Sequence, residues 1–127
     1  MKSRKFSARA RLRSFIYAFR GLGVMIREEH NFWIHLGITA ILIPVCIICR
    51  LSAMEWALII LCIGLVLGME LVNSAIERIA DKISPAKDHE IGKIKDLGAA
   101  AVLITAVAAA ITGLIILVPK ILNLIHS

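Results

Sequence analysis

Residues 97–118, "LGAAAVLITAVAAAITGLIILV", contain no charged side chain. A helix needs about 20 predominantly apolar residues to cross a bilayer, and this run has them. No polar stripe recurs along it, so it does not read as one face of a soluble bundle. Two further apolar runs precede it, "FWIHLGITAILIPVCIIC" at 32–49 and "WALIILCIGLVLGM" at 56–69. The chain has 127 residues and is 59% hydrophobic. A soluble domain of that size exposes too much of its surface to hide so many apolar side chains. The expected fold is therefore an all-α membrane protein, one domain over 1–127, with membrane helices at 31–49, 53–83 and 93–118. Pro44 is expected to kink the first span, and Pro119 to mark the end of the third.

Basic residues set the orientation. Residues 1–30 hold eight Lys or Arg and residues 78–96 hold five, whereas the opposite side would carry only Arg50 and Lys120. The positive-inside rule then places the N-terminus and the 78–96 loop in the cytoplasm and the C-terminus outside. The net charge of +6 points to a membrane rather than to nucleic acid, for which no aromatic-interleaved basic patch is present. Residues 6–28 are expected to form an amphipathic helix lying in the interface. At 100° per residue Arg9, Arg13, Arg20 and Arg27 share one face, and Leu12, Phe15, Phe19, Leu22 and Ile26 fall roughly opposite. The segment has no cleavage site after a short apolar core, so it is not read as a signal peptide. The pattern favours a simple anchor over a floor or lid for a site at the cytoplasmic membrane surface.

The second span ends unlike the third. After "WALIILCIGLVL" come Glu70, Asn73, Ser74, Glu77 and Asp81. On a helix, positions 70, 73, 77 and 81 fall within an arc of roughly 80°. Arg78 and Lys82 lie off that stripe, and "SP" at 84–85 stops the helix. Ionisable groups at membrane depth are costly and face a protein interior or a wet cavity. Three carboxylates on one face repel one another, and a divalent cation is a natural remedy. Mg²⁺ takes oxygen ligands, commonly one or two carboxylates with substrate phosphates. A second acidic pair, Glu28 and Glu29, stands where the interfacial segment meets the first span. "KIKDLGAAA" at 93–101 brings Lys95 and Asp96 to the start of the third, where Lys95 could meet a phosphate and Asp96 a ribose or a metal. Gly98 and Ala99–Ala101 allow close helix approach. The spacing supports an ion-paired network and a metal–phosphate site equally. Cys46 and Cys49 form C-x-x-C inside an apolar span and read as packing residues. His30, His35 and His126 have no partner in metal-ligand spacing.

"ELVNSAIERIADKI" followed by "KIKDLGAAAVLI" resembles the bacterial diacylglycerol kinase / undecaprenol kinase family of small integral-membrane lipid kinases. "RSFIYAFRGL" at 13–22 and "EHNFWIHL" at 29–36 extend the resemblance over about residues 13–118. It implies a homotrimer in the bacterial inner (plasma) membrane that phosphorylates a lipid hydroxyl at the cytoplasmic surface with Mg²⁺ and ATP. By position, Glu70 resembles the catalytic carboxylate, and Glu29 and Glu77 the metal pair. Tyr17, Glu29, Asn73, Glu77, Lys95 and Asp96 match positions around ATP, and Glu70 and Ala99 match positions at the lipid. Trp33 stands where many relatives have Arg. The loop 84–92 is not closely shared, so contacts of Ala86, Lys87 and Asp88 with phosphates are only a weak expectation. Neither a P-loop nor the protein-kinase motif set is present.

Diacylglycerol is the first expectation for the lipid. Undecaprenol stands beside it, because the "NF-x-IH" stretch resembles that branch. An ion-pathway protein is disfavoured, since residues 56–69 hold no ionisable group. A non-catalytic adaptor would not need carboxylates from separate segments at one depth.

Overall fold

The structure is a computed structural model and describes residues 5–127. Lys2 and Arg4, part of the basic N-terminal segment, lie outside the described residues. Four helices follow one another: α1 Ala8–Glu28, α2 His30–Ile48, α3 Ala53–Ile83 and α4 His89–His126. The last three are each long and apolar enough to cross a membrane. Contacts divide the chain into a unit ending at Trp33 and a unit running from Ile34 to Ser127.

In the first unit, the Ser7 side chain accepts from the Ala10 N–H at 3.3 Å and starts α1, satisfying one of the amides that a helix start leaves open. Glu29 adopts an extended conformation and ends the helix, its N–H donating to the Met25 carbonyl. One turn into α2, the Trp33 indole N–H donates to the Ile26 carbonyl at 2.7 Å. Trp33 thus has a structural role here: its indole takes up a carbonyl that the end of α1 leaves open.

The second unit is built on a long antiparallel hairpin of α3 and α4. Lys95 pairs with Asp81 near the turn. Gly98 lies against Asn73 further in, and Lys120 reaches Glu55 at the far end, 3.1 Å away. Small residues on α4 let the backbones approach. Where α2 joins, Cys46, Cys49, Leu51, Ile59, Ile116 and Leu117 form the buried core. The two C-x-x-C cysteines are therefore packing residues, free and buried. The α2–α3 turn is tight. Arg50 sits at φ 51°, and Ser52 and Glu55 close a reciprocal capping box at the start of α3.

Pro119 does not end the last helix, which continues to His126. Neighbouring groups and local adjustment can satisfy the carbonyl that a proline frees in a membrane helix. The Lys120–Glu55 pair ties this level to α3. At the other end α4 begins at His89 rather than 93. The Asp88 carboxylate accepts from the N–H groups of Glu90 and Ile91 at 2.9 and 3.0 Å, so Asp88 is an N-cap. Pro44 lies inside α2.

Candidate active site

The 31 residues of α3 span about 46 Å at 1.5 Å per residue, against an apolar bilayer thickness of about 30 Å. Standing upright, the helix would leave about 16 Å outside the apolar layer. Because the apolar run starts beside Glu55, the protrusion falls at the C-terminal end, where the polar stripe lies. Burial declines along that stripe. Glu70 is buried, Asn73 and Glu77 are half-buried, and Asp81 is exposed.

Each stripe residue meets a different environment. The Glu70 side chain is 8% exposed and its Oε1 lies 2.8 Å from Nε2 of His35 on α2. Sequence reasoning left His35 without a role, because its partner is 35 residues away. Asn73 Oδ1 is buried with no hydrogen-bond partner among the described residues. It faces Gly98 so closely that a Cβ there would overlap it. Asp81 holds Lys95 in an ion pair. Lys95, expected to meet a phosphate, thus has a carboxylate partner in this structure.

Two concavities flank the stripe. A polar hollow of about 450 Å³ opens at the α3–α4 turn, lined by Asp81, Pro85, Lys87, His89, Lys95 and Asp96 among others. It brings Ala86, Lys87 and Asp88 together with Lys95 and Asp96. An apolar groove of about 520 Å³ runs between α2, α3 and α4, lined by His35, Ile59, Leu67, Ala106, Ala110 and Gly113 among others. Glu70 is held by a groove-lining residue at one end of the stripe, and Asp81 lines the hollow at the other. Ala99 is exposed on α4.

Tyr17 and Glu29 belong to the first unit. Tyr17 is exposed, with the Arg20 guanidinium carbon 5.7 Å from its ring centroid. Glu29 is half-buried at the break between α1 and α2. Among the described residues, no three His, Cys, Asp or Glu side chains gather into one metal-binding group. A complete metal cage within one chain is not what these residues build. A Mg²⁺ held by one or two carboxylates and completed by phosphates and water needs less, and the half-buried Glu77 carboxylate is a hard oxygen donor suited to it.

Comparison with known proteins shows the family. Residues 16–117 match the family described as prokaryotic diacylglycerol kinase. The chain is 38% identical over 109 residues to an undecaprenol kinase of Bacillus subtilis, covering 85% of this chain and 88% of that protein. It is 37% identical over 112 residues to a diacylglycerol kinase of Synechocystis, covering 87% and 64% respectively. It is 43% identical over 81 residues to the diacylglycerol kinase of Escherichia coli K12, covering 61% and 66%. With residues 16–117 matched and three membrane-length helices, one of which carries a graded polar stripe, the chain belongs to the prokaryotic diacylglycerol kinase family of lipid kinases.

Proposed function

We propose that this protein transfers the γ-phosphoryl group of ATP to the hydroxyl of a membrane lipid, with Mg²⁺, at the cytoplasmic surface of the bacterial inner membrane. The observation that carries the reading is Glu70: a carboxylate buried at the inner end of the stripe, beside an apolar groove. A charge at that depth is costly, and a base for a lipid hydroxyl belongs there.

Phosphoryl transfer relies on positioning and charge stabilisation more than on covalent chemistry. Glu70 accepts the proton of the lipid hydroxyl. Asn73, Lys95 and Asp96 hold the nucleotide from α3 and α4, and Tyr17 is assigned to it on the family resemblance alone. Lys95 is suited to this because its pair with Asp81 is partly exposed. Solvent screens such a pair and leaves it weak, so a phosphate can replace the carboxylate. Glu77 and Glu29 are assigned to the metal, their pairing resting on the family resemblance. When bound there, Mg²⁺ would neutralise charge on the ATP phosphates. Ala99, small and exposed on α4, lies along the lipid.

The first reading of the lipid is diacylglycerol, giving phosphatidic acid. The second is undecaprenol, favoured by the "NFWIH" stretch and by the Bacillus subtilis relative that aligns over most of both chains. Purified protein in vesicles, given Mg-ATP and each lipid in turn, tests both readings. Lipid-dependent ADP release with label appearing in phosphatidic acid supports the first, and label in undecaprenyl phosphate the second. No lipid-dependent release with either would refute the kinase reading. The exposed apolar faces of all four helices suit α1 lying in the interface, with Arg toward headgroups, and a homotrimer of the spans. Crosslinking that yields only monomers in an active preparation would refute the trimer.

A further inference from the structure

We propose that His35 is a positioning residue for Glu70, fixing which carboxylate oxygen meets the lipid hydroxyl. The inference rests on Glu70 being the base. Nε2 of His35 lies 2.8 Å from Oε1 of Glu70. The two groups come from different helices and are 22% and 8% exposed at the side chain, so little water competes for the contact. A hydrogen bond to an ionised acceptor is about twice as strong as a neutral one, and it restrains a side chain with three torsions. An ionised carboxylate only accepts, which sets the Nε2–H tautomer of His35; with Oε1 engaged by that N–H, Oε2 is the oxygen left to take a proton. His35 also lines the apolar groove, so the oriented carboxylate stands where an apolar chain would bring its hydroxyl. In the step it serves, the lipid oxygen bonds to the γ-phosphorus as the bond from that phosphorus to the ADP oxygen breaks. The hydroxyl proton passes to Oε2, and the imidazole keeps its own N–H.

Gln and Asn at position 35 separate positioning from bulk packing. The Gln amide nitrogen reaches about as far as Nε2, whereas that of Asn stops near the place of Nδ1. Turnover at saturating Mg-ATP and lipid is measured for His35→Ala, His35→Gln, His35→Asn, Glu70→Gln and the His35→Ala/Glu70→Gln double variant, each beside a thermal unfolding curve. Misplacing a catalytic group by about 1 Å costs about 100-fold. His35→Ala and His35→Asn should therefore lose about 10- to 100-fold in kcat with the KM for ATP unchanged. His35→Gln should recover most of that loss. In the Glu70→Gln background His35→Ala should cost less than about 2-fold, because the residue it acts through is already disabled. Wild-type turnover of His35→Ala overturns the inference and leaves Glu70 as base. So does an equal loss in both backgrounds, or equal activity of the Gln and Asn variants. Wild-type turnover of Glu70→Gln overturns the base assignment and this inference with it.

Discussion

Gly98→Ala is the smallest change that tests whether the α3–α4 contact matters. A Cβ at position 98 would overlap Asn73 Oδ1 and touch the Asn73 carboxamide carbon at 3.5 Å. Gly98 is itself buried, so the methyl cannot turn away to solvent. Asn73 must move, and it has one short side chain with which to do so. Overpacking of this kind costs about 1–3 kcal/mol. Alanine in a helix interior returns about 1 kcal/mol relative to glycine. The net expectation is a loss of about 0–2 kcal/mol. Gly64 provides the control. It lies on the same hairpin, and a Cβ there meets nothing within 4 Å, so Gly64→Ala should gain about 1 kcal/mol from propensity alone.

The assay is denaturant or thermal unfolding in detergent, run beside steady-state turnover. Gly98→Ala should unfold more easily than Gly64→Ala by about 1–3 kcal/mol and should show a raised KM for ATP, because the displaced amide is a proposed nucleotide contact. Adding Asn73→Ala to Gly98→Ala should restore stability without restoring nucleotide use. If Gly98→Ala unfolds like Gly64→Ala, or if Asn73→Ala and Gly98→Ala destabilise additively, the contact does not constrain the hairpin and the reasoning fails.

Three further outcomes are expected. Glu70→Gln should lower kcat by about 10²–10⁴-fold with ATP binding and unfolding little changed; a folded variant with near-normal turnover would remove Glu70 as base. Glu29→Gln and Glu77→Gln each delete an anionic oxygen while nearly keeping shape, so both should raise the Mg²⁺ concentration needed for half-maximal rate; wild-type activity at limiting Mg²⁺ in both would refute the metal assignment. Arg50→Gly should raise stability by about 1 kcal/mol, because Arg50 occupies the left-handed region at φ 51° and glycine adopts it without the Cβ penalty; an unfolding midpoint at or below wild type would show the turn to be unstrained.

What could be read from the sequence divides by the separation of the groups involved. The stripe of Glu70, Asn73, Glu77 and Asp81 is a local feature: helical periodicity puts its members on one face, whatever that face meets. The N-cap at Asp88 is local too, visible in an Asp followed two residues later by Glu, yet the run "SPAKDHEIG" reads first as loop because Pro85 and Gly92 bracket it. Pro119 misleads for the opposite reason. A rule learned in water ends a helix there, but α4 continues through it, and the tie to Glu55 at the next residue depends on a partner 65 positions earlier. His35 is harder still. A lone histidine at the edge of an apolar span has no spacing signal, and only the packing of α2 on α3 gives it Glu70.

Lys95 shows how a local and a distant reading can both hold. Sequence places it at the start of a span, poised for a phosphate, while the structure gives it to Asp81. A partner is what an ammonium at a membrane surface requires when no phosphate is present. Asp81 is the most exposed member of the stripe, and its carboxylate is easily rehydrated once released. In the proposed reading the exchange of one anion for another at Lys95 would therefore cost little, and the polar hollow that both residues line would take the incoming phosphate. In the proposed reading, a stripe that is buried at Glu70 and loosely paired at Asp81 would keep its base fixed and its nucleotide end adjustable, a division of labour suited to phosphoryl transfer between a membrane lipid and a water-soluble donor.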